Sequence, residues 1–289
     1  MDNIVNKNKI DIQFKPGEST TELITREGVT FFTYPKLSKT GIVNHGFSTR
    51  LGGVSVGDCA TMNISMSRGD DPEAVMENKR RLAKAIGFEV VNMVFTYQTH
   101  TTNVAYVTMN DAGIALRDTD GLVTDIAGLC LVTFYADCVP LYFIDPIKKA
   151  IGLSHSGWRG TLNRMGAATV LKMKECFGSA PEDLIAAIGP SICGDCYEVG
   201  GDLYDNFSKG FDHEIIKKIF TRTPEDIKNG KYHLDLWKAN WHVLRDAGLK
   251  PDNIVTTDIC TRCNPDLFFS NRVHGERRGN LSAFLVLKA

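Results

Sequence analysis

The run Leu129–Ile144, LCLVTFYADCVPLYFI, is almost wholly apolar, rich in β-branched and aromatic residues, and closed by Asp145-Pro146. A second short run, Ala150–Leu153, leads into Ser-His-Ser-Gly-Trp-Arg-Gly-Thr at positions 154–161. The stretch reads as two strands with a turn between them. Two features disagree with a plain core. Asp137-Cys138 places a carboxylate and a thiol in the most apolar segment, where an unpaired charge is expensive. The second strand ends in His155, beside a glycine-bracketed turn that carries Arg159. A thiol and an imidazole at strand positions, next to a Gly-rich turn into a helix, suit an active site.

Around this centre the chain has 289 residues, enough for one large domain or two small ones. A net charge of −1 gives no support for a general nucleic-acid binder or a membrane-surface binder. No window holds 18 uninterrupted apolar residues and the N-terminus lacks a signal peptide's apolar region, so a cytoplasmic protein is expected. In that compartment the eight cysteines are reduced thiols or metal ligands sooner than a disulfide framework.

Residues 1–18 form a polar lead-in and 19–289 a single mixed α/β domain, with no linker rich enough in Pro, Gly or Ser to divide it. Strands are expected at 22–34, 42–49, 90–97, 103–107 and 120–124, and again at 184–188, 254–258, 267–270 and 281–287. Asp70 or Asp71 with Pro72 starts a helix that Gly87 stops, Thr161 caps another through Phe177, and Asp235 one through Ala247. Residues 201–218 read as helix, with 110–119 and 221–232 as polar connections.

Three residues would make an open metal site: His100, Cys138 and His155, each in or at the end of a strand, with 37 and 16 residues intervening. Two imidazoles and a thiolate suit Zn²⁺, and three protein ligands leave a fourth tetrahedral position free. Asp137 or Gln98 could orient an imidazole. Spacing alone does not separate this reading from a buried thiol and two hydrogen-bonded histidines. A more compact signal competes: Cys193-Gly-Asp-Cys196 and Cys260-Thr-Arg-Cys263 have the C-x₂-C spacing of a structural Cys₄ site, but 63 residues lie between the pairs. A second zinc, disulfides and independent thiols all stay open there.

Residues 154–161 also suggest an anion site. Backbone N–H groups around Ser156 and Gly157 at a helix start, with the Arg159 guanidinium, could hold phosphate. A glycine turn with Arg159 in a structural ion pair fits equally well. Arg50 and Arg272 occupy similar turns.

The ordered set HGFSTRLGGVS, GDDPEAVMENKRRLAKAIG, QTH, DGLVT, ADCVPLYFIDP, HSGWRGT, IGPSICGDCYEVG, DICT and FFSNR resembles the laccase-domain family from about Asn44 onward. That family is also known as purine nucleoside phosphorylase-like, "polyphenol oxidase" or peptidoglycan editing factor proteins. The resemblance implies a four-layer α/β/β/α domain of mixed sheets flanked by helices. It also implies one zinc held by the residues that stand here as His100, Cys138 and His155. His45 and Arg50 match the loop beside that metal. The activity implied is phosphorolysis of adenosine, inosine and methylthioadenosine, with adenosine deamination as a second reaction, so purine nucleoside and phosphate are the expected partners. Cys59–Asn63, Asn280 and the segment SNRV depart from the usual pattern and bear on substrate contacts more than on the metal.

For phosphorolysis, Arg159 or Arg50 would hold phosphate and His45 would give a proton to the departing base. Asp137 and Cys138 are expected, with His45, to be the catalytic residues. Four alternatives use the same residues: a copper-dependent polyphenol oxidase, a Cys138 nucleophile with His155 as base, a peptidoglycan-precursor editing amidase, and a zinc-stabilised scaffold. Seven histidines without an H-x-H pair are a poor basis for four-electron reduction of oxygen.

Overall fold

In a computed structural model the chain is described for residues 11–17 and 19–289; residues 1–10 and 18, most of the polar lead-in, lie outside that range. The strands, in chain order, begin with β1 (Glu22–Arg26), β2 (Val29–Thr33), β3 (Val43–Ser48), β4 (Met93–Tyr97), β5 (Val104–Tyr106) and β6 (Ala115–Arg117). Next come β7 (Gly121–Thr124), β8 (Cys130–Tyr135), β9 (Val139–Asp145), β10 (Ala150–Ser156) and β11 (Ile185–Ile188). The last are β12 (Glu198–Gly200), β13 (Phe220–Thr221), β14 (Lys231–Leu234), β15 (Ile254–Thr256) and β16 (Leu281–Leu287).

Two mixed sheets face each other, one ordered β1-β2-β3-β16-β8-β4-β6 and the other β15-β11-β9-β10-β7-β5; β12-β14-β13 make a small third sheet. The period-2 geometry of a strand explains why the central ones read as unbroken apolar runs. On β9, Val139, Leu141 and Phe143 face the helices, while Tyr142 and Ile144 pack between the sheets. On β8, Leu131 points between the sheets and Val132 points outward, toward the helix Pro72–Ile86. Helices Met165–Phe177 and Leu236–Asp246 cover the second sheet through Val170, Met173, Val243 and Leu244. The layers are therefore α/β/β/α, as expected.

The helix Pro72–Ile86 follows its punctuation, with Asp71 accepting a hydrogen bond from the Glu73 N–H and Gly87 closing it at φ 93°. Elsewhere the chain bends more often than its apolar pattern indicates. The expected strand 22–34 is a hairpin, because Glu27 and Gly28 both take left-handed conformations, φ 53° and 75°. The helix expected from Thr161 starts instead at Gly157 and breaks at Arg164, φ 61°, giving Trp158–Leu162 and Met165–Phe177. The 201–218 helix is two, Gly201–Gly210 and His213–Ile219. The polar tract 110–119 contains β6, and 221–232 contains the helix Pro224–Asn229 and the first half of β14. Leu267–Ser270 is buried but forms no strand.

The largest departure lies in the central run. It is two strands, not one, and they belong to different sheets: β8 to the first and β9 to the second. The chain crosses the sandwich at Ala136-Asp137-Cys138, where Asp137 has φ 85°. An aspartate tolerates that conformation better than the apolar residues around it.

Candidate metal centre and its cavity

The crossing is tied down from several sides. Asp137 Oδ1 accepts from Thr261 Oγ1 at 2.7 Å, and Oδ2 accepts from Ser270 Oγ at 3.0 Å and the Arg272 N–H at 2.7 Å. Its carbonyl accepts from the Ile192 N–H at 3.0 Å. The carboxylate expected near the chemistry is thus consumed in holding the turn that presents Cys138.

His155 arrives from β10, where it lies opposite Pro140 on β9. His100 arrives from the loop after β4, at φ 66°. The three side chains meet: one ligand atom from each of His100, Cys138 and His155 lies within 4.8 Å of the others. Gly157 lines the approach, because a Cβ there would lie 3.0 Å from the Cys138 Sγ.

One residue holds the His155 imidazole and the His100 backbone together, and it is neither Asp137 nor Gln98. Asp120 Oδ1 accepts from His155 Nδ1 at 2.8 Å and from the His100 N–H at 3.1 Å. Its Oδ2 accepts from the N–H groups of Thr99 (3.1 Å) and Thr101 (2.9 Å) and from Thr101 Oγ1 (3.0 Å). Asp120 immediately precedes β7, which pairs with β10, so the register Gly121↔Ser154 brings it beside His155. Gln98 instead clamps the backbone of Phe134, accepting from its N–H at 2.7 Å and donating to its carbonyl at 2.9 Å. The sequence clue to Asp120 was its place at a strand start, two strands away in the chain but adjacent in the sheet.

The electrostatics favour a cation here. Burial raises the Asp120 pKa, but the hydrogen bond and charge of His155 outweigh it and hold the carboxyl at about 2. Burial lowers the His155 pKa, yet Cys138 and Asp120 drive it up to about 9. Both shifts run in the direction that favours positive charge at this point of the interior. With Nδ1 committed to Asp120, Nε2 is left as the donor atom. Two imidazoles and a thiol presented in this way fit Zn²⁺, whose tetrahedral shell keeps one position open at a three-ligand protein site.

The centre opens into a cavity of about 1040 Å³, whose walls include Arg68, Lys79, Phe134, Tyr197, Arg272 and Arg278. Arg278 is held by Asn280 Oδ1 at 2.5 Å and the Gly279 carbonyl at 3.1 Å, while its buried Nε has no partner. Burial and the neighbouring Arg68 pull its pKa down to about 10, so it remains cationic at neutral pH.

Several expected site residues lie elsewhere. His45 is buried between the sheets, where its Nε2 accepts the Tyr34 N–H at 2.8 Å, and it does not line the cavity. Burial lowers its pKa to about 4, so a proton donor at that position is not what the structure provides. Arg50 donates to the carbonyls of Ala60 (2.9 Å) and Pro265 (3.1 Å) and covers the Phe269 ring, making it a loop clamp. The Ser156 hydroxyl is buried between Thr161 Oγ1 (3.0 Å) and Asn240 Oδ1 (2.9 Å) and does not line the cavity. Arg159 is exposed, with its guanidinium over the Trp158 ring, and is not part of the cavity wall. The cationic residues that do face the cavity come from 68–79 and 272–278, of which sequence reading singled out Arg272 alone.

A family model described as multi-copper polyphenol oxidoreductase laccase matches residues 44–288. The chain belongs to that family. The laccase-domain protein is 33% identical over 250 residues to a protein named purine nucleoside phosphorylase YlmD from Bacillus subtilis, covering 84% of this chain and 88% of that one. It is 37% identical over 226 residues to a protein named adenosine deaminase RL5 from an unknown prokaryotic organism, covering 75% and 84%. The crystal structure of YlmD from Geobacillus stearothermophilus superposes with a TM-score of 0.85 at 32% identity, covering 94% of this chain and all of that one. Both of these relatives carry names of enzymes that act on purine nucleosides.

Proposed function

We propose that the laccase-domain protein is a zinc-dependent purine nucleoside phosphorylase acting on adenosine, inosine or methylthioadenosine, with adenosine deamination as a second reaction. The observation that carries this reading is the convergence of His100, Cys138 and His155 at the floor of a cavity walled by guanidinium groups. A zinc ion on those three residues would supply Lewis-acid charge for activating water or polarising substrate.

The protein's own groups do the rest. Asp120 fixes the tautomer and direction of His155 and the backbone of His100. Asp137 keeps Cys138 at the seam. Arg278, with its partnerless Nε, and the flanking Arg68 and Arg272 form the phosphate subsite in place of Arg50, Arg159 and Ser156. The Phe134 and Tyr197 rings offer flat apolar surface for a purine. Phosphorolysis needs an anion next to the ribose, and this wall is built for one. No helix among the described residues is long and apolar enough to cross a membrane.

The family description names copper, and a thiol with two imidazoles is also a copper ligand set. Among the described residues only one potential metal group contains two histidines, too few for a multicopper centre. Purified protein incubated with adenosine, with and without phosphate, should yield adenine and ribose 1-phosphate only when phosphate is present, and inosine in either case. Release of L-serine from a muramyl peptide with no nucleoside turnover would replace this reading with amide editing. Oxygen uptake on a phenol would replace it with oxidation.

A further inference from the structure

The two C-x₂-C pairs are separated by 63 residues in the chain but not in space. The first follows β11 and the second follows β15, and these strands run parallel in the register Ile188↔Thr256. The pairing continues as a bridge between Ser191 and Cys260, so both turns leave the sheet side by side. The Sγ atoms of Cys193, Cys196, Cys260 and Cys263 all lie within 4.8 Å of one another. Cys193 and Cys260 are buried and the other two half-buried.

We propose that these four cysteines bind a second zinc ion in a closed tetrathiolate site, distinct from the open centre at His100, Cys138 and His155. A tetrahedral ion with Zn–S bonds of ~2.3 Å sets its sulfurs ~3.8 Å apart, which matches this spread. Sulfurs this close leave no room between them for a multi-iron cluster. They are not disulfides either: all four thiols are free, and Cys196 and Cys263 stand 3.4 Å apart. Four sulfur donors converging on one point are a ligand set for a single soft cation. The surroundings suit the doubly negative complex that results. The Cys193 N–H donates to the Cys260 Sγ at 3.3 Å, and Lys15 and Arg262 lie against Cys193 and Cys196.

The site has a positioning role. Ile192, next to Cys193, donates its N–H to the Asp137 carbonyl, and Thr261, next to Cys260, donates its hydroxyl to the Asp137 carboxylate. An ion joining the two turns therefore staples both supports of the residue that presents Cys138. No cysteine of the tetrathiolate set lines the cavity.

Elemental analysis and native mass spectrometry of protein purified under reducing conditions test this directly. Two zinc ions per chain are expected in the wild type, one in C196S/C263S, and one in H100A/H155A. After cobalt substitution, H100A/H155A should keep the strong thiolate-to-cobalt absorption of a four-sulfur site, and C196S/C263S should lose it. The melting temperature of C196S/C263S should fall by on the order of 10 °C. A wild type with one ion, all of it lost in H100A/H155A, would overturn the proposal. So would a non-reduced intact mass short of two hydrogens for each disulfide formed. Because the count is independent of turnover, it stands or falls apart from the nucleoside chemistry.

Discussion

The His100–Cys138–His155 centre and the four-cysteine cluster lie on either side of Asp137, and both gather thiols at the ends of strands. They differ in completeness. The first has three donors, left-handed backbone at His100 and Asp137, and a carboxylate, Asp120, spent entirely on orientation. The second has four donors and two parallel strands that deliver both turns from the same edge. An incomplete donor set needs outside support to hold its shape, whereas a complete one supports its neighbours. Chemistry belongs with the former and stability with the latter.

The sharpest way to break this contrast is to remove ligands from each site in turn. C138A should lower nucleoside turnover on the order of 10³-fold or more, with the cysteine cluster still loaded. C196S/C263S should instead show its main effect in thermal melting. If both variants lost activity equally at unchanged melting temperature, the division of labour would be wrong. D120N should weaken metal binding at the open centre by about 10–100-fold, measured by competition with a chelator, and leave the four-sulfur ion in place. R278Q should raise KM for phosphate by about tenfold or more while leaving phosphate-independent deamination close to wild type, since a charge-assisted hydrogen bond contributes about 1.5–3 kcal/mol.

A smaller effect concerns pH. In chelated protein the His155 contribution to stability is complete below its unfolded value of 6.5 and fades as pH rises to about 9. The Asp120 contribution is complete above 3.8 and fades as pH falls to about 2. Melting curves should therefore decline on the alkaline side without metal and flatten there once zinc is restored. Smallest of all in activity is H45Q, which should cost about 1–3 kcal/mol by disturbing the partner of the buried Tyr34 N–H, at nearly normal turnover per folded molecule.

The residue types at the open centre were visible in the chain, because a thiol inside an apolar run and a histidine before a glycine turn are hard to explain as packing. Their supports were not. Asp120 stands in an ordinary Asp-Gly, and only the β7–β10 register shows that it faces His155. The crossing at Asp137 leaves no mark in the sequence because both strands beside it are buried on two faces, which erases the alternation that would show a change of sheet. Arg50 and His45 misled for the opposite reason: their motif is local, but their side chains are spent on backbone atoms, the Tyr34 N–H for His45 and the Ala60 and Pro265 carbonyls for Arg50. Arg278 lies in a polar tail whose direction depends on β16.

The three donors of the open centre come from different places: His100 from the first sheet, His155 from the second, and Cys138 from the passage between them. Neither layer alone carries enough donors to retain an ion. Occupancy is therefore a property of the finished sandwich, and a misassembled molecule would be chemically silent. Inactivity in a half-formed chain comes built in, without any dedicated inhibitor.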